Sequence, residues 1–269
     1  MRSNTPNDIN QQEFSLAVCT LASGSKGNAT YISDGETSVL VDAGLSGVEI
    51  QRRLTSRELS PENLDAIIVT HEHSDHVRGV GILSRRYKLP VYINLKTHTA
   101  CPRLGRLHET RSFECGTTFN VNNMAVHPFA ISHDAEDPAG FTIGRNGTTV
   151  GIATDLGIAT AMVRQHLKRC GLLILEANHD PTMLETGPYP WPLKQRIRGR
   201  TGHLSNPDSK ELLNELQHDD LQHVVLGHLS EVNNTPEKAF AEVAGAITRC
   251  NAELTVADQY SSGPVIYLK

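Results

Sequence analysis

The sequence predicts an α/β (α+β) chain in which two sheets pack face to face with helices outside them. Three features point there. Short runs rich in Val, Ile, Thr and Tyr, separated by Gly or Asp-Gly, crowd the start of the chain. Strand-like runs then alternate with stretches whose apolar residues recur every three or four positions. The same order, strands first and alternation after, repeats in the second half.

The elements follow in order. The opening MRSNTPNDINQQEF is polar and has no apolar stretch of the secretory kind. It reads as a flexible tail over residues 1–13 of a single domain spanning 1–269. Ser15–Ser23, Asn28–Ser33 and Thr37–Gly44 are strand-like, and Val48–Leu59 has helical spacing. Asp65–Thr70, DAIIVT, is a short apolar run of the kind covered on both faces. His76–Lys88 reads as a helix that Pro90 stops, and Val91–Asn94 begins another strand. Phe113–Thr154 returns to strands, with Asn-Gly in RNGT (Arg145–Thr148) as a hairpin signal. Helices are expected near Thr160–Arg169, Asn206–Gln217 and Pro236–Cys250, and strands at Leu172–Ala177 and His223–Gly227.

Composition narrows the function. A net charge of −5 and a pI of about 6.2 argue against a protein that coats nucleic acid over its whole surface, while leaving room for a local basic patch. The five cysteines are odd in number and none are spaced as CxxC, which disfavours a disulfide framework or a zinc ribbon and fits a reducing cytoplasm. No apolar run approaches the roughly 18 residues of a membrane span.

The chemistry concentrates in VTHEHSDHVRG (Val69–Gly79). It sets His71, His73, Asp75 and His76 directly after an apolar strand. Crowded imidazoles and carboxylates lose solvation and need a partner. The end of a strand can aim His71 and His73 at one point, and the start of the next helix can aim Asp75 and His76 at a second. A tetrahedral zinc takes three or four ligands, so this many donors suggest two ions sharing a site. His133, Asp155 and His228 also fall just after apolar runs. The histidines at 98, 108, 127, 166, 218 and 223 are read as structural or surface groups.

THEHSDH resembles the signature of the metallo-β-lactamase-fold hydrolases, and His133, Asp155 and His228 follow in that family's order. The likeness runs from LASGSKGNATYI and VLVDAG to LGHLSEVNN. It implies a four-layer αββα sandwich with two divalent ions per chain at one edge of the sheets. His71, His73 and His133 would hold the first ion; Asp75, His76 and His228 would hold the second, with Asp155 bridging. Asp42 in VDAG would support the site from behind. Ligands of nitrogen and oxygen without thiolate admit Zn2+, Mn2+ or iron. SHDAEDPAGF, LEANHD, GPYPWPLKQRI and HLSEVNN further resemble the YycJ/WalJ group of bacterial hydrolases. That likeness implies a 5′-to-3′ exonuclease acting on DNA, with RNA also open as a substrate. LEANHD and GHLSN are similar to motifs of tRNase Z-type nucleases, implying that Glu176 orients His203 and that His203 binds phosphate or protonates the leaving oxygen. Asp75, beside the expected nucleophile, would orient or deprotonate a water, and a hydroxide activated between the ions would attack phosphorus.

Two further stretches bear on substrate. Gly187–His203 carries Lys194, Arg196, Arg198 and Arg200 at alternate positions, a positive strip in an acidic protein. Its Tyr189 and Trp191 can stack on bases, although packing of Trp191 against the body is the favoured reading. In Ser23–Asn28, SGSKGN, Ser25 and Lys26 are candidates to touch phosphate, with a plain tight hairpin as the default. The same core would also serve hydrolysis of a cyclic phosphate, thioester or lactone, since fold does not fix substrate. A regulatory metal-binding module is disfavoured by the completeness of the donor set.

Overall fold

The computed structural model describes residues 14–269, and the tail expected over 1–13 lies outside them. The first half lays down β1 (Leu16–Ala22), β2 (Ala29–Ser33), β3 (Ser38–Val41), α1 (Gly47–Thr55), β4 (Ala66–Ile68), α2 (Ser74–Val77), α3 (Val80–Tyr87), β5 (Pro90–Asn94), α4 (Leu95–Ala100) and β6 (Glu109–Phe113). There follow β7 (Phe119–Val121), β8 (Met124–Ala130), β9 (Ala139–Arg145), β10 (Thr148–Ala153), α5 (Ala161–Leu167) and β11 (Leu172–Glu176). The chain continues through α6 (Pro181–Thr186), α7 (Trp191–Arg198), α8 (Asn206–Leu216), β12 (His223–Gly227), α9 (Pro236–Ala244), β13 (Glu253–Val256) and β14 (Ile266–Leu268).

Among the described residues these strands form two seven-stranded sheets, ordered β14-β1-β2-β3-β4-β5-β6 and β13-β12-β11-β10-β9-β8-β7. Both are mixed: β3 to β6 are parallel neighbours, as are β10 to β13. The period of two sorts side chains between layers. Val39 and Val41 of β3 point into the apolar layer between the sheets, while Leu40 points to the layer under α1 and α3. On β11, Leu172 and Ile174 face the other sheet, while Leu173 and Leu175 pack beneath α5, α8 and α9. Burial on both faces explains why the central parallel strands read as unbroken apolar runs. The result is the αββα sandwich that the sequence implied.

Several boundaries differ from expectation. The single helix expected over His76–Lys88 is two, α2 and α3, parted at Gly79. The Gly79 N–H donates to the Ala43 carbonyl at 2.7 Å, and a Cβ there would meet the Leu45 carbonyl at 2.4 Å, so the backbone itself packs against the end of β3. Helix α1 ends at Thr55, and Glu58 then takes φ +60°. The RNGT turn closes β9 onto β10 as expected, with Asn146 at φ +53° and Gly147 at +86°. The five cysteines are free thiols.

Candidate metal centre

The parallel strands of both sheets bring their carboxyl ends to one edge, where ligands gather in open α/β sheets. Asp42 follows β3, His71 and His73 follow β4, Asp75 and His76 lie in α2, His133 follows β8, Asp155 follows β10 and His228 follows β12. Three of these residues pay for their positions with backbone strain: Asp42, Asp155 and His228 take φ of +60°, +57° and +55°. Non-glycine residues rarely adopt that region, and it clusters at functional sites. The turn carrying Asp75 is sewn down by backbone bonds. The Asp75 carbonyl accepts from the Asn28 N–H at 2.8 Å, and the His76 carbonyl accepts from the Ala43 N–H at 2.8 Å. Gly44 lets this happen, because a Cβ there would overlap the Asp75 carbonyl.

The hydrogen bonds behind the ring nitrogens fix where the lone pairs point. Asp42 Oδ2 accepts from His76 Nδ1 at 2.7 Å and from the Thr70 hydroxyl at 2.8 Å, while Oδ1 accepts from the Thr70 N–H at 2.9 Å. With its only proton given to Asp42, the Thr70 hydroxyl accepts from His71 Nδ1 at 3.0 Å. His133 Nδ1 donates to the Gly202 carbonyl at 3.3 Å, and His228 Nδ1 donates to Glu176 Oε1 at 2.8 Å. Each of these imidazoles therefore turns its Nε2 lone pair toward the centre. His71 Nε2 and His133 Nε2 lie 3.1 and 3.2 Å from His73 Nδ1. Three nitrogens facing one another with lone pairs repel, unless a cation sits among them.

A second cluster adjoins the first. His76 Nε2 is 3.5 Å from Asp75 Oδ2 and 3.2 Å from Asp155 Oδ2, and His228 Nε2 is 3.6 Å from Asp75 Oδ2. Asp155 reaches both clusters, with Oδ1 3.7 Å from His133 Nε2 and 3.4 Å from His228 Nε2. Asp155 Oδ2 and His228 Nε2 are buried with no hydrogen-bond partner among the described residues, the condition expected of atoms that take a metal. The donor set thus fits divalent cations. The second cluster favours positive charge at that point: burial disfavours it on His76 and His228, but the surrounding carboxylates outweigh burial. They hold His76 well above its usual value and push His228 up to about 10. Burial instead lowers His71 and His133.

Glu176 is fully buried and makes four bonds. Oε1 accepts from His203 Nδ1 and His228 Nδ1, both at 2.8 Å, and Oε2 accepts from the Leu156 and Leu204 N–H groups. Burial would raise its pKa, but these imidazoles draw it down to about 2. The sequence linked Glu176 to His203 alone; the structure makes it a hinge between His203 and the metal cluster. Ser205 caps α8 through a reciprocal capping box with Asp208, so the His203 side chain takes no part in capping that helix.

The basic strip is corrected by the fold. Trp191–Arg198 is a helix, so alternate positions fall on different sides. Lys194 is buried, and its ammonium donates to the Glu185 and Gly187 carbonyls at 2.7 and 2.8 Å, so its charge is committed to the backbone and not presented at the surface. Arg196 pairs with Asp134, and the exposed Arg198 and Arg200 line no cavity with the metal cluster. Trp191 is 64% exposed and does not pack on the body as expected. Tyr189, Leu193, Arg196 and Ile197 instead wall one side of a cavity of about 310 Å³ whose other side is His73, Asp75, His133, Asp155, His203 and His228. Ser25 lies at its rim, while the Lys26 ammonium is held by Glu231 at 2.8 Å. A larger hollow, about 1360 Å³, lies by Thr148, Arg169 and Lys269, but none of its lining residues belongs to a donor cluster, whereas six of the clustered donors line the smaller cavity. Sequence reasoning missed Asn28, whose amide lies 3.0 Å from His76 Nε2, and the buried His179 beside Glu176. None of the six histidines set aside as structural joins a donor cluster.

Residues 37–229 match the model of the beta-lactamase superfamily domain. The chain is 37% identical over 232 residues to the exodeoxyribonuclease YycJ of Bacillus anthracis, covering 85% of this chain and 88% of that protein. It is 36% identical over 244 residues to the exodeoxyribonuclease WalJ of Streptococcus pneumoniae, covering 89% and 91%. In fold it is similar to the metallo-beta-lactamase fold protein YhfI of Bacillus subtilis, with a TM-score of 0.72 at 17% identity over 92% of this chain and 99% of that one. Among the described residues no helix is long and apolar enough to cross a membrane.

Proposed function

The chain belongs to the beta-lactamase superfamily and, within it, to the family of YycJ and WalJ; from that membership we propose that this metal-dependent hydrolase removes nucleotides from the 5′ end of DNA. One observation carries the reading beyond hydrolysis in general. His203, tethered by Glu176, faces the same cavity as the two clusters of metal donors. A phosphodiester needs a proton for its leaving oxygen, and a carboxylate-held imidazole supplies one. Burial opposes a charge on His203, but Glu176 outweighs it and raises its pKa, which favours the protonated form a general acid needs.

The residues divide the work. His71, His73 and His133 would hold one divalent ion and Asp75, His76 and His228 another, with Asp155 between them. Two such ions, when bound, supply positive charge for the non-bridging oxygens and lower the pKa of a water. Asp75 lies at the cavity face of its cluster, where it can orient the attacking water. Water adds its oxygen to phosphorus, and the P–O3′ bond breaks. His203 gives its proton to that O3′, which leaves on the terminal nucleotide, and the phosphate stays on the shortened strand. The terminal nucleotide therefore sits on the His203 side, where Tyr189, Leu193 and Ile197 give its base an apolar wall.

A duplex labelled at one 5′ end, incubated with Mn2+ or Zn2+, is expected to release labelled mononucleotide before the label at a 3′ end appears in small products. Turnover of thioesters or lactones with no cleavage of DNA would overturn the reading.

A further inference from the structure

We infer that a basic groove adjoining the metal cavity at Ser25 and Asp75 carries the backbone phosphates of the DNA strand downstream of the cut. The inference rests on the exonuclease reading above and gives it a strand path. The groove has a volume of about 530 Å³ and is lined by Ser25, Lys26, Ser74, Asp75, Arg78 and Arg103. It shares Ser25 and Asp75 with the metal cavity but not His203 or α7. The two hollows thus adjoin at Ser25 and Asp75.

The chemistry of the cut decides what each hollow takes. The leaving O3′ belongs to the terminal nucleotide, which His203 keeps in the walled cavity. The continuing strand hangs from the same phosphorus through O5′ and needs a different exit. The cations facing the two routes differ in their freedom. Beside the cavity, Arg196 is tied to Asp134 and Lys194 to backbone carbonyls. In the groove, Arg78 and Arg103 are exposed, and their guanidinium groups make no ion pair or hydrogen bond among the described residues. Lys26 is drawn to Glu231 and Tyr260 at one side. Two unpaired guanidinium groups in a protein of net charge −5 form a localised anion track. Arg78 directly follows α2, and Arg103 sits in the Pro102–Leu104 turn, so neither is on a long mobile arm. Neither is flanked by another cation in sequence, which is why the groove shows only in three dimensions.

The test is an Arg78→Gln/Arg103→Gln variant read against strand length and salt. With the Mn2+-loaded protein, kcat/KM is expected to rise from a dinucleotide to a 12-mer in the native protein. The variant is expected to lose about tenfold on the 12-mer while keeping the native rate on the dinucleotide and on bis(p-nitrophenyl) phosphate. Affinity for a fluorescent phosphorothioate 12-mer should also lose salt dependence, its log–log slope flattening by about 1.4 if each arginine neutralises one single-strand phosphate. Unchanged length dependence and an unchanged slope would overturn the groove. Native protein that hydrolyses bis(p-nitrophenyl) phosphate but no DNA of any length would instead overturn the exonuclease reading, while the binding slope would still report on the arginines.

Discussion

The metal centre and the α6–α7 arm face each other across one cavity, and they are built in opposite ways. Most donors of the centre stand at strand ends locked by sheet ladders, with Asp75 and His76 on the short helix α2, and Asp42, Thr70, Glu176 and the Gly202 carbonyl hold four of the rings from behind. The arm is two short helices around a proline-rich turn, pinned by Lys194 reaching the carbonyls of Glu185 and Gly187. The centre thus has geometry, and the arm has surface. Chemistry that fails when atoms shift by fractions of an ångström belongs on the first, and sequence-tolerant contact with a base belongs on the second.

The comparison breaks most visibly at the bridge. Asp155→Ala removes the carboxylate that touches both clusters, and turnover should fall by on the order of a thousandfold. Metal content, read by elemental analysis, should fall with it; full occupancy would show that the two clusters do not depend on a shared ligand. His203→Ala should cost about a hundredfold or more, with metal content intact, because His203 gives its Nδ1 to Glu176 and is assigned to neither ion. Lost metal there would make it a ligand. Asp42→Asn tests the rear support. A carboxylate-to-amide change keeps the shape but loses an acceptor for His76 and Thr70, and metal affinity should weaken about 10–100-fold while the fold persists.

The centre was legible in the sequence because its residues obey a local rule: each follows an apolar run. His71, His73, Asp75 and His76 after DAIIVT, and His133, Asp155 and His228 after their own strands, fall where that rule puts them. The double role of Glu176 was not legible, since it depends on His228 and His203 arriving from separate elements. The arm was misread for a different reason. Alternate cations suggest a strip only if the backbone is extended, and the helix Trp191–Arg198 turned Lys194 inward. Arg78 and Arg103 gave no signal, because a single arginine in a sequence has no pattern to belong to.

Effects on the arm should be smaller and confined to large substrates. Tyr189→Ala removes one stacking surface, worth about 1–3 kcal/mol per base, so DNA turnover should drop about tenfold. Hydrolysis of bis(p-nitrophenyl) phosphate, which offers no base, should hold. An equal loss on both substrates would place Tyr189 in the machinery of the cut and erase the distinction between the two regions.

The smallest effect is the most discriminating, because its sign is at stake. Arg196 and Asp134 form an exposed pair at the cavity, with side chains 62% and 28% accessible. Such a pair contributes only about 0.2–1 kcal/mol, so breaking it changes little in stability. Its effect on an anionic substrate is another matter, since the paired arginine presents almost no net charge to the strand. Arg196→Ala uncovers a carboxylate beside the cavity, and KM for DNA should rise about two- to fivefold, in line with that energy. Asp134→Ala frees the guanidinium, and KM should fall by a similar factor. If both substitutions raise KM, the pair acts as a positioned unit and the arm carries geometry after all.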